Sequence, residues 1–194
     1  MIKSSKKVAK IPAKKLAKKS TKKSVSKQAS KSVKKSAEGI GELIVIAHNI
    51  RSLHNVGSIF RCADSFGVSK VFLTGYTGAP PDVRISKVAL GAEEFVPWEQ
   101  TRSLARVVTK LRKSGTRIVA LENNVNYKIT SLKKYKPKFP MALILGEEVK
   151  GVTAKILDLC DDVIDIPMYG KKESLNVSVA CGVALYGIRA NEAK

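Results

Sequence analysis

The sequence predicts an α/β fold in which a parallel β-sheet carries helices on both faces. Short apolar runs of strand length alternate with longer amphipathic segments along residues 42–190. The strand-like runs are apolar almost throughout, as strands buried on both faces are, rather than alternating as half-exposed strands do. Glycine-, proline- and asparagine-rich stretches punctuate the ends of these runs.

Taken in order, ELIVIA (42–47) is the first strand, and NVGSIFRCADSFG from Asn55 reads as a helix. Val56, Ile59, Phe60 and Ala63 fall at i, i+3, i+4 and i+7 there, and Asn55 is placed to cap it. KVFLTG (70–75) is a second strand, and the Pro-Pro pair makes TGAPPDVR a loop. EQTRSLARVVTKLRKSG forms an amphipathic helix on Leu104, Val107, Val108 and Leu111, stopped by Gly115. TRIVAL (116–121), FPMALILG (139–146) and DVIDIP (162–167) supply further strands. A short helix is expected at about 153–160, and a long final helix from near Ser174 to about Ala190.

Charge divides the 194-residue chain. Its 36 Lys+Arg and 16 Asp+Glu leave a formal net charge of +20. Residues 1–37 carry 14 Lys and no acid, so 22 basic and 16 acidic residues remain beyond them. Residues 1–38 are therefore read as a Lys-rich disordered tail, with too few apolar groups to offset the entropy of folding, and residues 39–194 as the folded domain. The tail suits a polyanion. Lys14, Lys15, Lys18, Lys19 and their neighbours would release counterions from nucleic acid, although a merely solubilising tail has the same composition. It has no apolar core of a secretory signal and no Arg of the kind usual in transit peptides. The apolar runs fall far short of the roughly 20 residues of a membrane-spanning helix. Three scattered Cys exclude a disulfide framework, and no Cys/His spacing suggests zinc. No P-loop or GxGxxG pattern is present.

Open parallel sheets bind ligands beyond the C-terminal ends of their strands. Three strand-end motifs stand there. In NVGSIFR (55–61), Gly57 and Arg61 share a helix face, and Gly57 is expected to leave space beside the guanidinium. In LILGEEVKG (143–151), Gly146 is expected to admit a ligand close to the backbone, with Glu147 and Glu148 as acceptors. In IPMYGKKESLN (166–176), Ser174 and Asn176 flank Leu175 ahead of a helix rich in small residues. Singly, each also reads as an ordinary surface Arg, a solvated loop, or a capped buried helix.

In this order, N-x-G-x-x-x-R, G-x-E-x-x-G and I-P-M-x-G-x-x-x-S-L-N resemble the TrmH (SpoU) family of the SPOUT superfamily, over about residues 40–190. The resemblance implies a parallel sheet with a C-terminal trefoil knot, a homodimer, and methyl transfer from S-adenosyl-L-methionine to a ribose 2′-hydroxyl of tRNA or rRNA. It implies Arg61, Asn55, Glu148, Ser174 and Asn176 as catalytic residues. It places the cofactor on Leu145, Gly146, Ile166, Met168 and Leu175. A bacterial cytoplasm is the default location, with an organelle or the nucleus open. Two features depart from the family: only the Lys-rich tail stands where relatives carry an RNA-binding domain, and Gly187 stands where Glu is frequent.

A guanidinium is a weak base in water, so Arg61 stands as either the general base or a group that binds phosphate and aligns the oxygen. RNA contacts are expected from the tail, from Arg102, Arg106, Arg112 and Lys113, and from 127–139. That segment interleaves Lys128, Lys133, Lys134, Lys136 and Lys138 with Tyr127, Tyr135 and Phe139. A non-catalytic nucleic-acid-binding relative and a base methyltransferase are the alternatives.

Deleting residues 1–37 is expected to weaken RNA binding and flatten its dependence on salt while sparing cofactor affinity. Binding titrations across a salt series measure this, and an unchanged slope would remove the anchoring role.

Overall fold

The computed structural model describes residues 40–123 and 125–192. The expectations for residues 1–38, including disorder and RNA contact through Lys14, Lys15, Lys18 and Lys19, lie outside the described residues.

Seven strands form one parallel sheet: β1 (Leu43–His48), β2 (Lys70–Thr74), β3 (Trp98–Thr101), β4 (Arg117–Leu121), β5 (Ile129–Ser131), β6 (Met141–Leu145) and β7 (Asp162–Asp165). Their order across the sheet is β3-β2-β1-β6-β4-β7-β5. The central pair β1–β6 is apolar and buried almost end to end, as burial on both faces requires. Its period-2 alternation separates two cores. Leu43, Val45 and Ala47 face helices α1 (Leu53–Ser65) and α6 (Val177–Ala190), against Ile59, Phe60, Ala184 and Leu185. Ile44 and Ile46 face the opposite layer, built from α4 (Leu104–Lys113) and α5 (Ala154–Leu157) through Val107, Val108, Leu111 and Ile156. The remaining helices, α2 (Val83–Ala89) and α3 (Ala92–Phe95), lie in the stretch after β2.

Several boundaries differ from the sequence expectation. α1 begins three residues early: Ser52, not Asn55, is its N-cap, and its hydroxyl accepts the Asn55 N–H at 3.4 Å. Residues 98–101 form β3 rather than a helical turn, and α4 starts only after Ser103, whose hydroxyl accepts the Arg106 N–H. The strands β3 and β5 and the helix α2 carry no long apolar run. The strands take their place from edge pairing, and α2 from packing on α1.

Gly57 does not open space for Arg61. A Cβ there would lie 2.6 Å from the Ile85 carbonyl oxygen and 2.9 Å from Val88 Cβ, so the glycine allows α1 to press against α2. Gly187 has a similar cause: a Cβ would stand 2.7 Å from a Leu132 methyl. The end of α6 is tied down by Arg189. Its guanidinium donates to the carbonyls of Phe66 (3.0 Å), Gly41 (2.8 Å) and Gly67 (3.0 Å), and to Glu192 (2.9 Å).

Gly57→Ala should therefore destabilise the fold by about 1–3 kcal/mol through overpacking. A denaturant titration reads the change as a lower midpoint at unchanged slope.

Candidate active site

The register of β1 and β6 places Ala47 beside Leu145, so the loops that leave both strands emerge together. Glu148, three residues past β6, reaches the loop that follows β1. Its carboxylate accepts the backbone N–H groups of Arg51 and Ser52, each at 3.2 Å, and the Asn55 side-chain amide at 3.1 Å. Asn55 in turn accepts from the Asn176 amide at 3.2 Å. Asn176 caps α6, its oxygen accepting from Ser178 N (2.9 Å) and Ser178 Oγ (2.7 Å). One hydrogen-bonded chain thus joins the three motifs. Because Ser52 does the capping, the Asn55 side chain is free to serve as the middle link.

Desolvation acts to raise the Glu148 pKa. The donors around the carboxylate, its own N–H and those of Arg51, Ser52 and Asn55, together outweigh it and hold the group below its ordinary value.

Beside this chain lies a cleft of about 340 Å³. Leu145, Gly146, Ile166, Met168 and Leu175 all line it, as does Ser174. Ser174 and Leu175 precede α6 rather than opening it, and line the cleft from the irregular segment before the helix. Gly146 is also required by the chain itself: a Cβ would stand 2.4 Å from the Gly151 carbonyl carbon, so the residue permits the tight 147–151 turn as well as lining the cleft.

Arg61 is exposed, and among the described residues its guanidinium has no hydrogen-bond or ion-pair partner. The hydrogen-bonded chain therefore contains Asn55, Glu148 and Asn176 but neither Arg61 nor Ser174. Beside Arg61, the Cys62 thiol is lowered to about 7, first by its contact with Cys181, then by Arg61 against an opposing desolvation.

Sequence reasoning missed Glu122. Its carboxylate accepts the Val152 N–H at 2.5 Å and the Asn123 N–H at 2.9 Å, and it walls the cleft. The signal was available, since Glu122 directly follows β4 and obeys the same strand-end rule.

Several expected RNA contacts are used internally. Tyr135 is buried and donates to Asp162 at 3.1 Å, and Tyr127 donates to Asp158 at 2.7 Å. Phe139 packs on the core under Arg189. Arg112 is paired with Asp161 at 3.0 Å. Arg102 lies before α4, not on it. Lys134 and Lys136 remain exposed, and Lys133 donates to the exposed Tyr169 hydroxyl at 2.7 Å. Among the described residues no metal-binding cluster occurs and no helix is long and apolar enough to cross a membrane.

The profile of the SpoU rRNA Methylase family matches residues 42–186. The chain belongs to the SpoU family. A family relative, the 23S rRNA (guanosine-2′-O-)-methyltransferase RlmB of Vibrio cholerae, is 36% identical over 146 residues, covering 74% of this chain and 57% of the relative. The chain thus spans little more than half the length of that SpoU-type enzyme. The A. aeolicus TrmH/SpoU tRNA modifying enzyme aligns at 27% identity and a TM-score of 0.71, covering 86% of this chain and 83% of its own. An AdoMet-bound rRNA methyltransferase from Sinorhizobium meliloti shares the SpoU fold at a TM-score of 0.72 and 24% identity, over 79% of this chain and 58% of its own.

The Glu148 contact should respond to pH in one direction. Its folded pKa is depressed, so its contribution to stability is full above the unfolded carboxylate value of 4.5 and is lost as pH falls through the folded value. Glu148→Gln should therefore destabilise the protein at neutral pH, and the gap to the parent should narrow under acid. Thermal unfolding across pH measures it.

Proposed function

We propose that this protein transfers a methyl group from S-adenosyl-L-methionine to a ribose 2′-hydroxyl of RNA, tRNA or rRNA, with residues 39–194 as the methyltransferase domain. The hydrogen-bonded chain Glu148–Asn55–Asn176 at the rim of the cleft carries the reading, because it unites the three family motifs at one place. The relatives named above as RNA methyltransferases support it.

The cleft fits the cofactor. Leu145, Ile166, Met168 and Leu175 offer apolar walls to a flat heterocycle, and Glu122, Glu147 and Glu148 outnumber Lys150, which suits a sulfonium cation. When bound, S-adenosyl-L-methionine supplies a methyl group activated by a positively charged sulfur.

The chain's own part is positioning. Glu148 holds the loop after β1 and the start of α1 against the cleft. With three outside donors on its carboxylate it serves as a positioning acceptor. Asn176 fixes the other end of Asn55 and so locks α1 to α6. Ser174 presents its hydroxyl at the cleft. Arg61 is unencumbered and takes the reactive role, either accepting the 2′-hydroxyl proton or gripping the adjacent phosphate so that the oxygen is aligned. Either role makes it essential.

The Lys-rich tail and Lys133, Lys134 and Lys136 are assigned to the RNA backbone. The exposed stripe Val179, Val183 and Tyr186 on α6 is assigned to a homodimer contact, and the strand order fits the knotted threading of the family. A bacterial cytoplasm accords with the bacterial rRNA enzyme above.

Labelled S-adenosyl-L-methionine, incubated with the protein and total RNA from cells lacking its gene, should deposit label in a 2′-O-methylated nucleoside. Arg61→Ala should reduce the rate at least 100-fold, on the order expected for loss of an acid–base or charge-positioning group. Label on a base would overturn the acceptor assignment, and no label without cofactor binding would leave a nucleic-acid-binding protein. A pH–rate profile with an apparent pKa that persists after His and Glu substitutions would assign the proton to Arg61. Sedimentation of the same preparation reads its oligomeric state.

A further inference from the structure

A second cleft, of about 840 Å³, opens at the C-terminal ends of β1, β2 and β3. It adjoins the first: Glu147 of the first cleft lies near enough to help raise the pKa of the exposed Tyr76 hydroxyl, after desolvation. Its lining is held in place by hydrogen bonds. Asn49 takes a left-handed backbone (φ 58°), accepts the Tyr76 N–H at 3.2 Å and donates to His48 Nε2 at 3.1 Å. Gly75 (φ 69°) is forced by this arrangement, since a Cβ would stand 1.8 Å from the Asn49 oxygen. The Gln100 amide donates to the Thr77 carbonyl at 2.8 Å, which fixes its orientation and leaves its oxygen without a partner among the described residues.

The chemistry of the lining is one-sided. Arg102 is exposed without an ion-pair partner among the described residues, and no acid lines the cleft. Tyr76 is 56% exposed, whereas Tyr127, Tyr135 and Phe139 are spent on internal contacts. An exposed aromatic ring, an oriented acceptor and an unpaired guanidinium are the three groups that an unpaired nucleotide engages, through its base face, its base edge and its phosphate.

We propose that this second cleft binds an unpaired nucleobase of the RNA adjacent to the nucleotide being methylated. The Tyr76 ring stacks on the base, the Gln100 oxygen accepts from its edge, and Arg102 holds the neighbouring phosphate. Asn49 is a positioning residue that sets the Tyr76 loop. The inference rests on the methyltransferase reading above and names a part of its substrate site.

The test uses the full chain, S-adenosyl-L-methionine and total RNA from cells lacking the gene. Tyr76→Ala should raise KM for RNA by roughly 5- to 150-fold, the range for loss of one base–aromatic stack, with cofactor affinity retained. Tyr76→Phe, which keeps the ring, should recover most of that loss. An unchanged KM in Tyr76→Ala would overturn the proposal. So would a Phe variant as poor as Ala, or a parallel fall in cofactor affinity, since both would place the effect on the hydroxyl or the first cleft rather than on the ring. Photo-cross-linking of 4-thiouridine-labelled total RNA to the parent needs no methyl transfer and separates the two readings. An adduct within 75–78 or 100–102 upholds the subsite even if no methyl is transferred, and adducts only elsewhere overturn it.

Discussion

The site depends on a single carboxylate that crosses from one strand end to another. Glu148 takes two backbone N–H groups from the loop after β1 and one side-chain amide from the first turn of α1. Those N–H groups stand just ahead of the helix and have no helical acceptor, and a negative group also complements the positive end of the helix. The contact therefore satisfies the loop, orients α1, and through Asn55 reaches the cap of α6. Without it the turn after β6 would lose its tie to the other two motifs.

This contact is possible because the sheet is parallel. Parallel pairing brings all C-terminal strand ends to one edge, and the β1–β6 register aligns Ala47 with Leu145. Chain segments nearly a hundred residues apart then leave the sheet side by side. The two clefts follow the same geometry: one lies beyond β6, β4 and the segment after β7, the other beyond β1, β2 and β3. Between them stand Glu147 and Glu148, so the acidic turn after β6 is both a wall and a tether.

Much of the fold was legible because the central strands and α1, α4 and α6 carry their periodicity in residues that must be buried. Leu43–Ala47 and Met141–Leu145 are apolar on both faces, and Val56, Ile59, Phe60 and Ala63 mark one face of a helix. The edge strands β3 and β5 escaped because WEQT and ITS are half polar and short; hydrogen bonding to a neighbour, not composition, makes them strands. The site was legible as motifs but not as roles. Asn55 looked like a cap until Ser52 proved to hold that position. Gly57 looked like room beside the Arg61 guanidinium until α2 proved to occupy it, and Gly146 proved to serve the 147–151 turn as well as the cleft. Tyr127 and Tyr135 looked like stacking surfaces, but each hydroxyl has an Asp partner within the chain.

By itself the sequence determined the alternating α/β architecture, the segregation of charge into residues 1–38, the family, and the residue types gathered at the strand ends. These are properties of local pattern and composition, read without knowing what touches what. Only the tertiary structure decided what the motif's Glu148 holds, that Glu122 joins the cleft, and that Tyr76 rather than Tyr135 presents its ring to solvent. Each of these turns on contact between segments distant in the chain. Strand register and helix packing set such contacts, and a linear pattern does not encode which distant segments will meet.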